Sequence, residues 1–222
     1  MARFDEVRAT FWDNGDYGVQ QPLTDEMVRE AERVLGVTLP SALLDLLRVQ
    51  NGGIVADDHD AFPISRPTSW SEDHVPFDHL MGIGRRDGTT SMLDTPYLVE
   101  EWGMPAPLVL LSGDGHSWIG LDYRTCGQGG EPSVTWFETD LDTELVLARD
   151  FRSFVEGLTA GSSYGDDSVG DHVSVGDRGV IRAKEVITGS ARAGAKAGEQ
   201  VPAGGGEPVG ERGGVRGPAD ER

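Results

Sequence analysis

From Gly161 to the C-terminus the chain offers little from which a hydrophobic core could be built. That stretch holds one aromatic residue, Tyr164, and no apolar run longer than the pair Val180-Ile181, yet it contains 15 of the protein's 31 glycines. Ordering a residue costs roughly 1–2 kcal/mol of backbone entropy, which so little apolar area cannot offset. Residues 161–222 are therefore expected to form a disordered C-terminal tail. Only a short amphipathic stretch, Val180 to Ile187, is a candidate to order against a partner. The fold must come from residues 1–160, long enough for one domain with a sizeable core.

The charge is unevenly divided. Residues 1–160 carry 28 acidic and 11 basic side chains, a net −17, whereas the tail carries ten and eight. A domain this acidic repels phosphate backbones and anionic lipid, which argues against nucleic-acid and membrane-surface binding and favours a cationic protein partner. The first thirty residues show no basic-then-apolar leader, and no apolar run has the length of a membrane span, so the expected compartment is the cytoplasm. One cysteine, Cys126, excludes an internal disulfide framework and a Cys-rich zinc site.

Local signals order the folded part. Thr24 is a good helix N-cap, and Asp25 and Glu26 follow it where carboxylates suit the helix dipole. Met27, Val28, Ala31, Val34 and Leu35 then keep the helical period, which Gly36 ends. Pro40-Ser41 opens a second helix whose buried face is Leu43, Leu44, Leu46 and Leu47, continuing to Val49, with Asn51-Gly52-Gly53 as its C-terminal stop. Ala56 to Phe77 reads as strand fragments joined by loops, and Leu80 to Ile83 as a short strand. Met92 to Trp102 reads as a helix interrupted or started at Pro96. Leu108–Leu111, Ser117–Leu121 and Ser133–Glu138 make an antiparallel meander, turning first at Ser112-Gly113-Asp114-Gly115. Phe151, Phe154, Val155 and Leu158 mark a last helix, with Asp150 as its cap. Helices, then strands, then a helix give an α+β fold: an N-terminal helix pair and a C-terminal helix packed on an antiparallel sheet.

The chemical motifs are sparse. Gly82-x-Gly84 lacks the third glycine of a dinucleotide fingerprint, no phosphate-binding Gly-Lys-Ser/Thr loop exists, and no cofactor is called for. Asp57-Asp58-His59-Asp60 lacks the regular spacing, glycine and distal glutamate of a calcium loop, and reads as a solvated acidic loop rather than a metal site. Asp114, His116 and Asp122 invite an acid/base reading. The alternative is that Asp114 makes an Asx turn and Asp122 caps the next loop. Cys126, without a neighbouring histidine, reads as an idle thiol. Of five tryptophans, Trp12, Trp102, Trp118 and Trp136 read as core; Trp70, in a polar loop, is the candidate for an exposed contact.

Taken in order, Leu23-Thr24 before an acidic helix, Leu35-Gly36-Val37, Leu39-Pro40, the Leu-rich helix and Asn51-Gly52-Gly53 resemble the SUKH superfamily, specifically its Smi/Knr branch. Trp102-Gly103, Gly113-Asp114-Gly115-His116, Trp118, Leu121-Asp122-Tyr123 and Glu131-Pro132 continue the resemblance, which covers roughly residues 10–158. It implies a non-catalytic α+β binding domain. Bacterial members are mostly regarded as immunity proteins that bind and neutralise a toxin domain, often a nuclease; fungal relatives are cell-wall synthesis regulators that act as hubs. It implies structural roles for Leu39-Pro40 at the corner, Asn51-Gly52-Gly53 at a helix end, and Gly113, Asp114, Trp118 and Asp122 around a hairpin. It carries no catalytic residues. A basic nuclease would be drawn to an acidic surface, and Asp57, Asp58, Asp60, Glu72, Asp73 and Asp78, with Trp70, are the expected contact residues.

Overall fold

Thr24 stands in extended backbone and its hydroxyl accepts the N–H of Met27, so helix α2 (Asp25–Leu35) starts where the cap residue places it. It stops at Gly36, whose φ of 71° lets its N–H reach the carbonyl of Glu32. The chain then turns through Leu39-Pro40: Leu39 is buried, its N–H donates to the Glu32 carboxylate at 3.0 Å, and α3 (Ser41–Leu47) begins. The computed structural model describes residues 3–165, and the tail expectation for 166–222 lies outside the described residues.

α3 is shorter than its apolar pattern predicts. It ends at Leu47, and Val49 is 62% exposed. Asn51 is consequently no helix cap. Its buried side chain clasps the backbone of Ile83 from both sides, donating to the carbonyl (2.8 Å) and accepting from the N–H (2.8 Å), and it also donates to the Gln21 carbonyl (2.6 Å). Gly52 and Gly82 allow this approach, since a Cβ on Gly82 would lie 2.3 Å from the Asn51 carbonyl oxygen. The predicted strand Leu80–Ile83 is thereby corrected: β1 (Gly53–Ile54) pairs with β4 (His79–Leu80), and 81–83 is buried backbone held by Asn51 and by Leu111.

Between β1 and β4, β2 (Ala61–Pro63) and β3 (His74–Pro76) form a second short antiparallel pair. A 3₁₀ turn (Met92–Asp94) capped by Ser91 leads into α4 (Thr95–Glu101) with Pro96 in its first turn, where its missing N–H costs nothing. The main sheet is an antiparallel meander of four strands rather than three: β5 (Leu108–Gly113), β6 (Ser117–Asp122), β7 (Ser133–Glu138) and β8 (Thr143–Ala148). β5 runs two residues beyond its expected end at Leu111, into the expected turn. Asp114 Oδ1 then accepts the N–H groups of His116 and Ser117, both at 3.0 Å, as an Asx turn should. Asp150 caps α5 (Phe151–Gly157) by accepting from the Ser153 N–H at 2.6 Å.

One element has no counterpart in the sequence expectations. Helix α1 (Arg3–Thr10) precedes the predicted pair and buries Phe4 and Val7, with Phe11 following, against α5. Arg152 covers the Phe4 ring from 4.2 Å. Phe62, Phe77 and Phe154 join the helices to the small hairpin, with ring centroids 4.9 Å apart in both the Phe62–Phe154 and Phe77–Phe154 pairs. Trp118 and Trp136 are core residues, whereas Trp12 and Trp102 only flank the core. The packed chain also runs past residue 160. Gly161–Ser163 forms a 3₁₀ turn, the Gly161 N–H donates to Asp60, and Tyr164 stacks on His74.

Candidate functional site

β2 and β3 divide the acidic candidates into two groups. The register Ala61↔Pro76, Phe62↔Val75, Pro63↔His74 puts the loops before β2 and after β3 at one end and residues 64–73 at the other. Three residue rises, about 10 Å, lie between them. Asp57, Asp58, Asp60 and Asp78 gather at the first end, while Trp70, Glu72 and Asp73 lie at the second.

Asp57 and Asp58 are exposed on a turn closed by the His59 N–H to the Ala56 carbonyl (2.8 Å). Asp60 is half-buried, and its carboxylate accepts from the Gly161 N–H at 2.5 Å. Burial pushes its carboxyl above the usual range, helped by the charges of Asp57 and Asp78, while the Gly161 bond works the other way. His59 contacts the Thr10 hydroxyl at 2.8 Å, and burial lowers its pKa. At the far end Trp70 is half-buried and packs against the core, so it is not the freely exposed ring that its polar neighbours predict. Asp73 lies 2.8 Å from His74 Nδ1 and accepts from the Ser71 hydroxyl; the His74 bond leads in holding its carboxyl low.

The acid/base candidates do not converge. Asp114 is committed to its turn, and His116, with its side chain 71% exposed, pairs with Asp140 at 2.8 Å. Asp122 lies at the opposite end of β6, about 17 Å along the strand. It is buried, accepts from the Arg124 N–H at 2.9 Å and forms an ion pair with that guanidinium at 2.7 Å. Burial raises the Asp122 carboxyl but the Arg124 bonds outweigh it, leaving the pKa low. Asp78, His79 and Ser112 have the composition of a nucleophilic triad, with His79 Nδ1 2.9 Å from Asp78. Ser112 Oγ, however, is 3.2 Å from Nδ1 and 3.4 Å from Nε2, so it sits beside the ring and in line with neither nitrogen. A triad needs Asp and Ser on different nitrogens. Cys126 is half-buried, and burial raises its thiol. Among the described residues, no group of three or more His, Cys, Asp or Glu could hold a metal ion, and no helix is long and apolar enough to cross a membrane.

A groove of about 600 Å³, absent from the sequence expectations, opens between the 64–73 loop and the β7–β8 hairpin. Trp136, Glu138, Thr143 and Leu145 line it from the sheet, Thr68 and Ser69 from the loop. Glu138 is buried, accepting from the Ser69 N–H (2.6 Å), the Ser69 hydroxyl (2.5 Å) and the Thr143 hydroxyl (2.6 Å). Burial raises its carboxyl, but these donors together prevail and the net direction is down. The Trp136 indole N–H helps hold it low yet falls short of hydrogen-bond geometry. Only alternation along β7, which puts Trp136 and Glu138 on one face, hints at this site in the sequence.

A helical layer on an antiparallel meander defines an α+β domain, and among the described residues the acidic candidates fall at the two ends of a small hairpin. The chain belongs to the SMI1/KNR4 family (SUKH-1), whose sequence pattern matches residues 22–157. No significant match was found among curated proteins or among solved structures. The family is generally one of non-catalytic immunity and regulatory domains.

Proposed function

We propose that this protein is an immunity protein of the cytoplasm, which binds a cationic toxin domain, of nuclease type, through its acidic surface and so neutralises it. One observation carries the reading: a domain of this family with a net charge of −17 over residues 1–160 gathers Asp57, Asp58, Asp60 and Asp78 at one end of a small hairpin. A nuclease must be cationic where phosphates lie, so such a surface steers the two proteins together and speeds capture. Asp57 and Asp58 are the exposed contacts. Asp60 supports them from below, and Glu72, Asp73 and Trp70 form the far flank.

The test is co-purification of the tagged full chain from its own cells at low and then high salt. A stoichiometric basic partner, lost as salt rises and weakened by Asp57→Lys with Asp58→Lys, is the expected result. Several substoichiometric partners insensitive to salt would replace this reading with a regulatory adaptor. A partner whose affinity ignores the charge reversal would move the interface elsewhere on the domain.

A further inference from the structure

We propose that Asn14-Gly15 is a site of spontaneous deamidation in the folded protein, while Asn51-Gly52, the same pair, is shielded by the fold and reacts only when the chain opens. The chain has two asparagines, and a glycine follows each. With no Cβ on that next residue, its backbone nitrogen has a clear approach to the asparagine amide. In the reaction the glycine N–H gives its proton to water or hydroxide, and the nitrogen bonds to the asparagine Cγ. The Cγ–Nδ2 bond breaks, and ammonia leaves with a proton taken from water. Water then adds to either carbonyl of the succinimide ring, which opens to aspartate or isoaspartate.

The two pairs stand in opposite surroundings. Asn14 and Gly15 are exposed in the loop after α1, and among the described residues no hydrogen bond holds the Asn14 side chain or the Gly15 N–H. The loop is anchored on either side of them, by the Asp13 N–H on the Ile54 carbonyl (3.1 Å) and by Arg86 on the Asp16 carbonyl (3.1 Å). The fold does not require this glycine, since a Cβ at Gly15 would meet nothing nearer than Asp13 Oδ2 at 3.8 Å. Asn51, by contrast, is 2% exposed, both polar atoms of its amide are held in the clasp on Ile83, and the Gly52 N–H donates to the Gln50 carbonyl at 3.1 Å. Here the glycine is required: a Cβ at Gly52 would lie 2.5 Å from the Gly82 nitrogen. Reaction at Asn51 is therefore scaled by the fraction of chains that are open, about a thousandth or less for a stable domain. Once it occurs, the clasp cannot re-form. An acid at residue 51 turns the contacts to the Gln21 and Ile83 carbonyls into oxygen–oxygen contacts around a buried charge. At residue 14 the product adds an exposed negative charge between Asp13 and Asp16. Neither reaction depends on the partner proposed above.

The test incubates the full chain in heavy-oxygen water at mildly alkaline pH, native and in urea, and reads label uptake by peptide mass spectrometry. Cleavage at Arg8, Arg29 and Arg48 puts the two asparagines on separate peptides. In the native protein, residue 14 is expected to take up label about a thousandfold faster than residue 51. In urea the two rates should converge, and refolding yield should fall in step with label at residue 51. Gly15→Ala, for which the loop has room, should suppress uptake at residue 14 and leave Tm unchanged. Equal uptake at both positions in the native protein would overturn the proposal, as would uptake at residue 14 confined to urea. Full refolding of chains labelled at residue 51 would overturn the role given to the clasp.

Discussion

Replacing Asn51 separates a tertiary clasp from a helix cap. In Asn51→Ala the Ile83 N–H and carbonyl, held at 2.8 Å each, stay buried and lose their partners. Each orphaned group costs about 1–3 kcal/mol. The Gln21 carbonyl belongs to an exposed residue and can turn to water, so it adds little. The expected loss is about 3 kcal/mol, because Gly52 and Gly82 leave no slack for the backbones to find new partners. For a domain of this size that lowers Tm by about 6–12 °C. Asn51→Gly discriminates. A C-terminal cap would accept glycine with almost no loss, whereas the clasp predicts a loss at least as large as for alanine. Urea unfolding of the full chain, followed by tryptophan fluorescence, reads both variants. A loss below about 1 kcal/mol for alanine, or wild-type stability for glycine, would refute the clasp.

Gly82→Ala forces a Cβ to 2.3 Å from the Asn51 carbonyl oxygen and should cost more than about 3 kcal/mol in urea unfolding. Gly88→Ala, open to solvent at a φ of +78°, should cost only about 1–2 kcal/mol for its left-handed backbone. The Asp60 carboxyl lies above its ordinary 3.8 because of burial. A raised acid binds its proton more tightly when folded, so it reduces stability as pH rises through that window. Asp60→Asn keeps an acceptor for Gly161 and should raise Tm at pH 7 but not at pH 3; an equal effect at both would contradict the burial argument. His116→Ala should leave Tm and partner capture nearly unchanged, since the side chain is exposed, pairs with Asp140 at the surface and meets the Trp102 ring only at 6.4 Å between centroids. A fall in capture would place His116 in the interface.

Much of the helical layer and three of the main strands were legible in the sequence because their signals are local. Thr24 and Gly36 bound α2 through bonds spanning at most four residues, Asp150 does the same for α5, and Asp114 turns the β5–β6 hairpin within three. Helical period and strand alternation likewise need only the neighbouring turn or pleat. α1 escaped because charged residues interrupt its short apolar spacing, and β8 because its residues are half-exposed at the sheet's edge.

The sequence by itself determined the cap positions, the change from helical to strand period, the concentration of acid in residues 1–160 and the family pattern. Tertiary structure alone decided that Asn51 grips Ile83, that the acidic segment splits between the two ends of a hairpin, and that Trp70 leans on the core. Each of these depends on contacts between residues far apart in the chain, from the 32 positions between Asn51 and Ile83 to the 101 between Asp60 and Gly161. Such contacts leave no periodic trace, because any residue with a suitable donor or acceptor could make them once the core has fixed where the two backbones meet.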